Sequence, residues 1–265
     1  MCNVACRADG RLCARFVGGA GGTRVSVSDS NAPLELRGPF DGDGYARFYL
    51  RNVSCGVFAG DTYEVHLQAA SGARALVSAS SATSVHAMPG GSASSVVHLR
   101  SSPDAVLAYF EGPTILQRDS SLTHRVELAA GGGLAVYAEV VVFGRMAFGE
   151  TLAFREYATE IIVLGDSGEA LYVERYTLRP EDDRASLEHA AAPVMGTIIL
   201  AGATDDIEPV VQTAFEQPDA NVYTGCDWLP SDAAIVVRAA GATLEPITRI
   251  IEAALTAVGS RAWHS

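Results

Sequence analysis

The chain has 265 residues and a formal net charge of −12, and all 19 of its basic residues are arginines. Without lysine it can form neither a phosphate-binding P-loop ending in Lys-Ser/Thr nor a Schiff base, so a partner must carry out any nucleotide hydrolysis in its pathway. The acidic charge disfavours nucleic acid as a ligand. We expect a cytoplasmic protein. The sequence contains no run of 18 apolar residues that could span a membrane, and its N-terminus lacks an apolar secretory segment. Its five irregularly spaced cysteines fit a reducing compartment.

The first 33 residues are interpreted as an N-terminal entry segment. Residues 12–17 favour a strand, and the glycine-rich run at 18–22 would end it. From residue 45 to 53 apolar and polar side chains alternate, as in a half-buried strand. Because no linker follows, residues 34–265 are predicted to form one domain.

The central part of the chain contains three similar segments. They read VHLQAASGARALV from Val65, VHLRSSPDAVLAY from Val97 and VELAAGGGLAVYA from Val126, so their starts are 32 and then 29 residues apart. Each consists of an alternating strand, a turn of small residues and a second apolar strand. Such recurrence predicts strand-turn-strand units stacked on one another. The predicted fold is therefore mainly β, a single domain with a β-helix-like or solenoid-like body.

The C-terminal third combines strands with the two segments that read as helices. In chain order the sequence predicts a hairpin over 160–177, a strand over 195–201, a helix over 206–215, a strand over 235–237 and a helix over 244–258. Ile247, Ile251 and Leu255 lie on one face of the last helix.

Several polar patterns have both a chemical and a structural interpretation. Gly-Asp-Ser-Gly at 165–168 is similar to a serine-protease nucleophile loop, but these residues also favour a hairpin turn, and we predict a non-enzymatic protein. His66 and His98 occupy the same repeat position, where the third repeat has Glu127; either a designed ladder or an outward polar position explains them. The hydroxylated run at 78–84 would line a space inside a stacked body or form an exposed turn.

Acidic residues that interrupt apolar segments are the remaining candidates for a site. They are Asp61, Glu111, Glu139, Glu150 and Glu174, with Arg145 and Arg175 as available partners. Because a buried carboxylate is costly unless it is paired or hydrated, these residues indicate either structural ion pairs or a hydrated path for cations.

Several phrases together resemble the UreD/UreH family of urease accessory proteins. The phrases are VSCGVFAGD at 53–61, GARALV at 72–77, ATSVH at 82–86, PTIL at 113–116, Glu139 followed by GRMAFGE at 144–150, and Glu-Arg at 174–175. They occur in the family's order and cover about residues 34–258.

The resemblance implies a mainly β scaffold that assists nickel insertion into apo-urease. Its implied partners are a UreF-type protein, a UreG-type GTPase and apo-urease itself, and it would carry nickel in transit without a tightly bound cofactor. Asp61, Glu139, Glu150 and Glu174 are the expected nickel path, and Thr83 and Arg145 are further motif residues. The stripe of Ile247, Ile251 and Leu255 would contact the UreF-type partner or close the β body.

Three departures from the family pattern suggest an alternative. Cys55 replaces a glycine, Ser84 a lysine and His86 a tyrosine. On this alternative the chain is a general β-scaffold interaction module without a role in urease maturation.

Overall fold

The structure is a computed structural model that describes residues 8–42, 44–182, 192–204, 207–213 and 222–261. The strands of these residues are β1 (Asp9–Val17), β2 (Arg24–Ser30), β3 (Leu34–Asp41), β4 (Ala46–Asn52), β5 (Thr62–Ala69), β6 (Arg74–Ala79), β7 (Thr83–Val85), β8 (Ala93–Ser101), β9 (Val106–Leu116), β10 (Ser121–Ala129), β11 (Leu134–Val142), β12 (Glu156–Leu164), β13 (Ala170–Leu178), β14 (Val194–Ala201), β15 (Val222–Trp228) and β16 (Ala234–Gly241). Two α-helices are α1 (Glu208–Thr213) and α2 (Leu244–Arg261), and short 3-10 helices cover Met146–Phe148 and Pro230–Asp232.

The strands form two sheets that enclose a common core. Sheet 1 has the order β13-β12-β10-β8-β5-β1-β2, and sheet 2 has the order β15-β16-β14-β11-β9-β6-β4-β3, with β7 beside β9. Successive coils pass from one sheet to the other, from β5 to β6, β8 to β9 and β10 to β11. The strands from β1 to β12 in sheet 1 and from β4 to β11 in sheet 2 pair in parallel, so the body is a solenoid of stacked coils, as predicted. In sheet 2 the strands β14, β16 and β15 then continue the sheet with antiparallel pairing.

The strand register confirms that the three sequence repeats are stacked coils. Val65 lies opposite Val97, and Val97 lies opposite Val126. The same row continues to Leu12 in β1 and to Ile161 in β12. Two coils that the repeats do not predict therefore extend sheet 1, one on each side.

The N-terminal entry segment contributes to this body. β1 pairs in parallel with β5 and antiparallel with β2, and its Leu12 and Phe16 are fully buried. Cys13 lies on the same strand with a free thiol, whereas Cys2 and Cys6 lie outside the described residues.

The last helix covers the outer face of sheet 2. Ile247, Ile251 and Leu255 are 0%, 1% and 3% exposed, and they share a second apolar core with Val136 and Ile198. Burying each such side chain contributes about 1.5 to 3 kcal/mol. The burial favours closure of the β body over contact with a partner as the role of this stripe.

The predicted hairpin and helices are found close to their expected positions. β12 and β13 pair antiparallel, and the Gly165 N–H donates to the carbonyl of Glu169 at 2.9 Å in the turn between them. The Ser167 hydroxyl donates to the Glu169 carboxylate at 2.5 Å, so it belongs to the turn, as predicted. α1 occupies the middle of the first predicted helix, whose residues 206, 214 and 215 lie outside the described residues.

Candidate functional site

A cavity of about 190 Å³ lies between the two sheets. Its wall includes the hydroxylated segment 79–84, and Thr83 faces Thr114 across the pairing of β7 with β9. Residues 80–82 are also exposed to solvent. The hydroxylated run therefore both lines an internal space and forms an exposed turn, the two interpretations that the sequence allowed. The cavity has a solvent-facing rim of small hydroxylated residues, and Glu111 lies in its wall.

A β-bulge in β9 turns Thr114 toward the interior, where Glu111 already points in register with Leu107 and Tyr109. The register of β9 against β11 shifts between Ala138 and Val140. Gly112 lies at the shift with a φ of +77°, a left-handed conformation that glycine adopts without steric cost. The extra residue reverses the alternation, so Glu111 before the bulge and Thr114 after it both line the cavity.

Glu111 belongs to a buried group of five polar side chains, which we call the interior cluster. His124 Nε2 lies 2.8 Å from the Tyr137 hydroxyl and 3.1 Å from Glu111 Oε2. The Tyr137 hydroxyl lies 2.7 Å from Glu111 and 3.0 Å from Glu139 Oε2, and Tyr157 donates to the same Glu139 oxygen at 3.2 Å. The donor atoms of Glu111, His124 and Glu139 lie within 4.8 Å of one another, close enough to meet a single cation.

The carboxylates of the interior cluster differ in how well their negative charge is stabilised. Burial opposes the charged forms of His124 and Glu111, but their mutual attraction outweighs it, so the pKa of His124 is raised and the pKa of Glu111 is lowered. Burial raises the pKa of Glu139. Glu139 Oε1 is buried without a hydrogen-bond partner among the described residues. A buried oxygen of this kind favours a water molecule or a cation as its missing partner.

The polar row continues from Glu139 across sheet 2. Glu139 lies opposite Thr197, and Thr197 lies opposite Arg238. Arg238 donates to the Thr197 hydroxyl at 2.5 Å and forms an ion pair with Glu174 of β13. Tyr172 also donates to Glu174, at 3.3 Å. We call Glu111, His124, Glu139, Thr197, Arg238 and Glu174 together the polar row.

Asp61 is buried and holds backbone groups. Its Oδ1 accepts the N–H of Ala8 at 2.8 Å, and its Oδ2 accepts the N–H of Phe58 at 2.9 Å. Tyr63 donates to Oδ2 at 3.2 Å. These contacts tie the turn before β5 to the residue before β1, so Asp61 has a structural role in this fold.

Glu150 and Arg145 form an ion pair in the loop after β11. Arg145 approaches Glu150 Oε2 at 2.7 Å, and the N–H of Arg118 donates to Oε1 at 2.9 Å. The hydrogen bond from Arg145 is the main cause of the lowered pKa of Glu150. A Cβ atom on Gly144 would collide with the backbone oxygen of Glu150, so the tight loop requires glycine there. The guanidinium also lies 5.6 Å from the centre of the Phe148 ring, which is 81% exposed.

The structure therefore brings two of the four predicted path residues together. Glu139 and Glu174 belong to the polar row, and Thr83 lies in the adjoining cavity. Asp61 and Glu150 share no hydrogen bond or ion pair with the row within the described part of the chain. Arg175, an expected partner of these carboxylates, instead pairs with Glu160.

Sequence analysis missed His124, Tyr137, Tyr157, Thr197 and Arg238. One signal was available for His124. It lies two residues before the third repeat, on the same strand and between the inward-facing Leu122 and Val126, so alternation alone places an ionisable side chain in the core. The contact of Arg238 with Glu174 joins residues 64 apart and leaves no local pattern.

The fold and the site define a class of protein. It is a two-sheet solenoid scaffold with a polar row between its sheets. In the described part of the chain no helix is both long and apolar enough to cross a membrane.

Comparison with known proteins specifies the family. Residues 8–265 match the model of the UreD urease accessory protein family, so the chain belongs to that family. It is 29% identical over 234 residues to the urease accessory protein UreD of Natronomonas pharaonis, covering 85% of this chain and 78% of that one. It is 28% identical to UreD of Haloarcula marismortui over 93% of this chain and 84% of the relative, and 28% identical to UreD of Trichodesmium erythraeum over 90% of each.

Proposed function

We propose that this protein is a non-enzymatic urease maturation factor that assists nickel insertion into the active site of apo-urease. It would act in a complex with a UreF-type protein and a UreG-type GTPase. Membership of the UreD family and the accessory-protein names of its relatives support the role in maturation. The absence of lysine supports a separate GTPase, because this chain has no Walker-type P-loop.

The observation that carries the nickel proposal is the unpartnered oxygen of Glu139. Leaving a buried carboxylate oxygen without a hydrogen bond costs about 1 to 3 kcal/mol. A hydrated cation that binds transiently would supply the missing partner of this oxygen. The adjoining cavity offers further oxygen atoms from Thr83, Ser84 and Thr114.

The chemistry of the polar row suits passage better than storage. Its carboxylates already interact with His124, Tyr137 and Arg238, so a cation must compete with these partners at each step. The row offers carboxylate and hydroxyl oxygens with a single imidazole, and such a set binds divalent nickel less strongly than sites that contain several nitrogen or sulfur ligands. The polar row would therefore bind a cation weakly and release it to the next site along its path.

The first experiment compares urease in cells that carry all other accessory genes, with and without this chain. Nickel-loaded, active urease is expected only when the chain is present. Equal nickel content without the chain would contradict the proposal and favour the alternative of a scaffold module outside urease maturation.

The second experiment tests the polar row in the same cells. Glu139→Gln keeps the size of the side chain and an acceptor for both tyrosines but removes the negative charge. We expect urease nickel content to fall several-fold while the accessory complex still assembles. Glu245→Gln, at an 82% exposed position on α2, is the matched control and should leave nickel content unchanged. Full loading with Glu139→Gln would exclude the row as a route.

Glu150→Ala tests the predicted path residue that lies outside the row. If Glu150 also guides nickel, its loss should lower nickel content without affecting partner binding. Loss of partner binding would instead assign the Arg145–Glu150 loop to assembly.

A further inference from the structure

A second group of metal-ligating side chains lies on the outer face of sheet 1, away from the polar row. The parallel register places Cys13 opposite His66, His66 opposite His98, and His98 opposite Glu127. We call these four residues the outer row. It borders a surface groove of about 420 Å³.

The two histidines are stacked and held by carboxylates. Their ring centres are 4.4 Å apart and their planes differ by 14°. His66 Nε2 lies 2.6 Å from Glu64 Oε1, and His98 Nδ1 lies 2.9 Å from Glu127 Oε2. Because each contact stays within the exposed face, these side chains are not needed to fill the core.

We propose that Glu64, His66 and His98 form a binding site for one divalent transition-metal ion of the zinc and nickel class. Their donor atoms lie within 4.8 Å of one another. Two ligands of a tetrahedral ion at 2.0 to 2.1 Å are about 3.3 Å apart. Because an imidazole nitrogen binds an ion in the plane of its own ring, the two parallel rings must turn out of their stack to share one ion, and their partial exposure leaves room for that rotation. Two imidazoles and a carboxylate are a donor set that such ions accept.

The surroundings of His98 support this assignment. Its Nδ1–H donates to Glu127, which leaves Nε2 free as the metal donor. A carboxylate partner on the second ring nitrogen is the usual arrangement around metal-binding histidines. Arg125 in turn holds Glu127, with Nη2 2.6 Å from Oε1, so Glu127 is a positioning residue.

Metal binding would displace the proton between His66 and Glu64. The ion takes the position of that proton, which passes to solvent, and no other bond changes. The two side chains are 34% and 46% exposed, so an ion can reach them from solution. This inference does not rest on the proposed function, because neither the cavity nor the polar row contributes a ligand.

The experiment is a titration of the purified full-length chain with Zn²⁺ in competition with a colorimetric chelator. We expect one ion per chain at the outer row. His66→Asn and His98→Asn should each weaken its binding at least ten-fold, and Glu127→Gln should weaken it by about ten-fold through the orientation of His98. His86→Asn, which removes an imidazole elsewhere on the surface, is the matched control.

Two further measurements make the result decisive. Thermal unfolding of each variant shows whether the fold is retained, which is expected because both histidines are about one third exposed. His124→Gln removes the only imidazole of the interior cluster and should leave the outer site intact. Binding that survives both outer histidine variants, or that is lost with His124→Gln alone, would overturn the proposal.

Discussion

Asp61 shows how a residue in a family motif can serve the fold. Its carboxylate is 2% exposed and accepts the backbone N–H groups of Ala8 and Phe58. Asp61→Ala leaves two amides without this partner, and we expect the free energy of unfolding to fall by about 3 kcal/mol in urea denaturation.

The control for this change is Asp29→Ala, on the exposed face of β2. It should alter the free energy of unfolding by less than about 0.5 kcal/mol. Equal stability of the two variants would mean that the amides of Ala8 and Phe58 find other partners. Lowered nickel loading by a fully stable Asp61→Ala variant would restore Asp61 to the path.

His124 makes stability depend on pH. Its pKa is raised from 6.5 because the neighbouring Glu111 and Glu139 carboxylates outweigh the effect of burial. The ion pair with Glu111 therefore contributes fully below pH 6.5, and its contribution is lost as the pH rises through the higher pKa of the folded state. The difference in unfolding free energy between the wild type and His124→Gln should shrink over that range.

The control for the pH prediction is Leu128→Ala on the same strand. It removes buried apolar volume, so its destabilisation should not vary with pH. Urea denaturation at a series of pH values measures both differences. A constant difference for His124→Gln would show that folding does not raise the pKa of His124.

The loop after β11 is a short element whose shape depends on glycine. Gly144 has a φ of +134°, and an added Cβ would strike the backbone oxygen of Glu150. We expect Gly144→Ala to reduce the free energy of unfolding by about 3 kcal/mol and to separate Arg145 from Glu150. Gly149→Ala in the same loop also has a positive φ, +69°, but open space around it, so it should cost only about 1 to 2 kcal/mol. Equal costs would show that the collision is relieved by a loop shift.

The helix α2 provides a test of the closure role at the level of an element. Ile251 is 1% exposed, so Ile251→Ala leaves a cavity and should destabilise the protein by about 2 to 4 kcal/mol. Glu252→Ala on the exposed face of the same helix is the control, with an expected change below about 0.5 kcal/mol. A stable Ile251→Ala variant that no longer binds the UreF-type protein would favour the partner-contact interpretation.

At the scale of the whole molecule, the sequence predicts the parts that repeat. The same inward position is occupied by Val65, Val97 and Val126. Because this position recurs at a regular spacing, the spacing alone predicts the stacked coils. β15 was not predicted, because this edge strand buries no regular alternation of side chains; Tyr223 in it is 71% exposed. The bulge at Gly112 is also invisible in the sequence, since any glycine within a strand admits several backbone shapes.

The candidate site was predicted less completely than the fold. The family phrases identified Glu139 and Glu174. Each has a tyrosine partner two residues earlier on its own strand, but Tyr157 and Arg238 reach them from the opposite sheet. His124 meets Glu111 only because β10 faces the bulged strand, and Arg238 meets Glu174 only across the two sheets. Contacts of this kind depend on how coils are stacked, which local sequence patterns do not encode.

The antiparallel strands at the margins of the sheets end the stack of parallel coils. A stack of parallel coils presents unpaired backbone groups at both ends, and such ends can join to form fibres. Here β2 covers β1 and β13 covers β12, each with reversed direction, while β3 carries Pro39 at the margin of sheet 2. The end strands therefore break the parallel pairing that a fibre of identical coils would need to continue, and Pro39 has no N–H to donate to a strand of another copy.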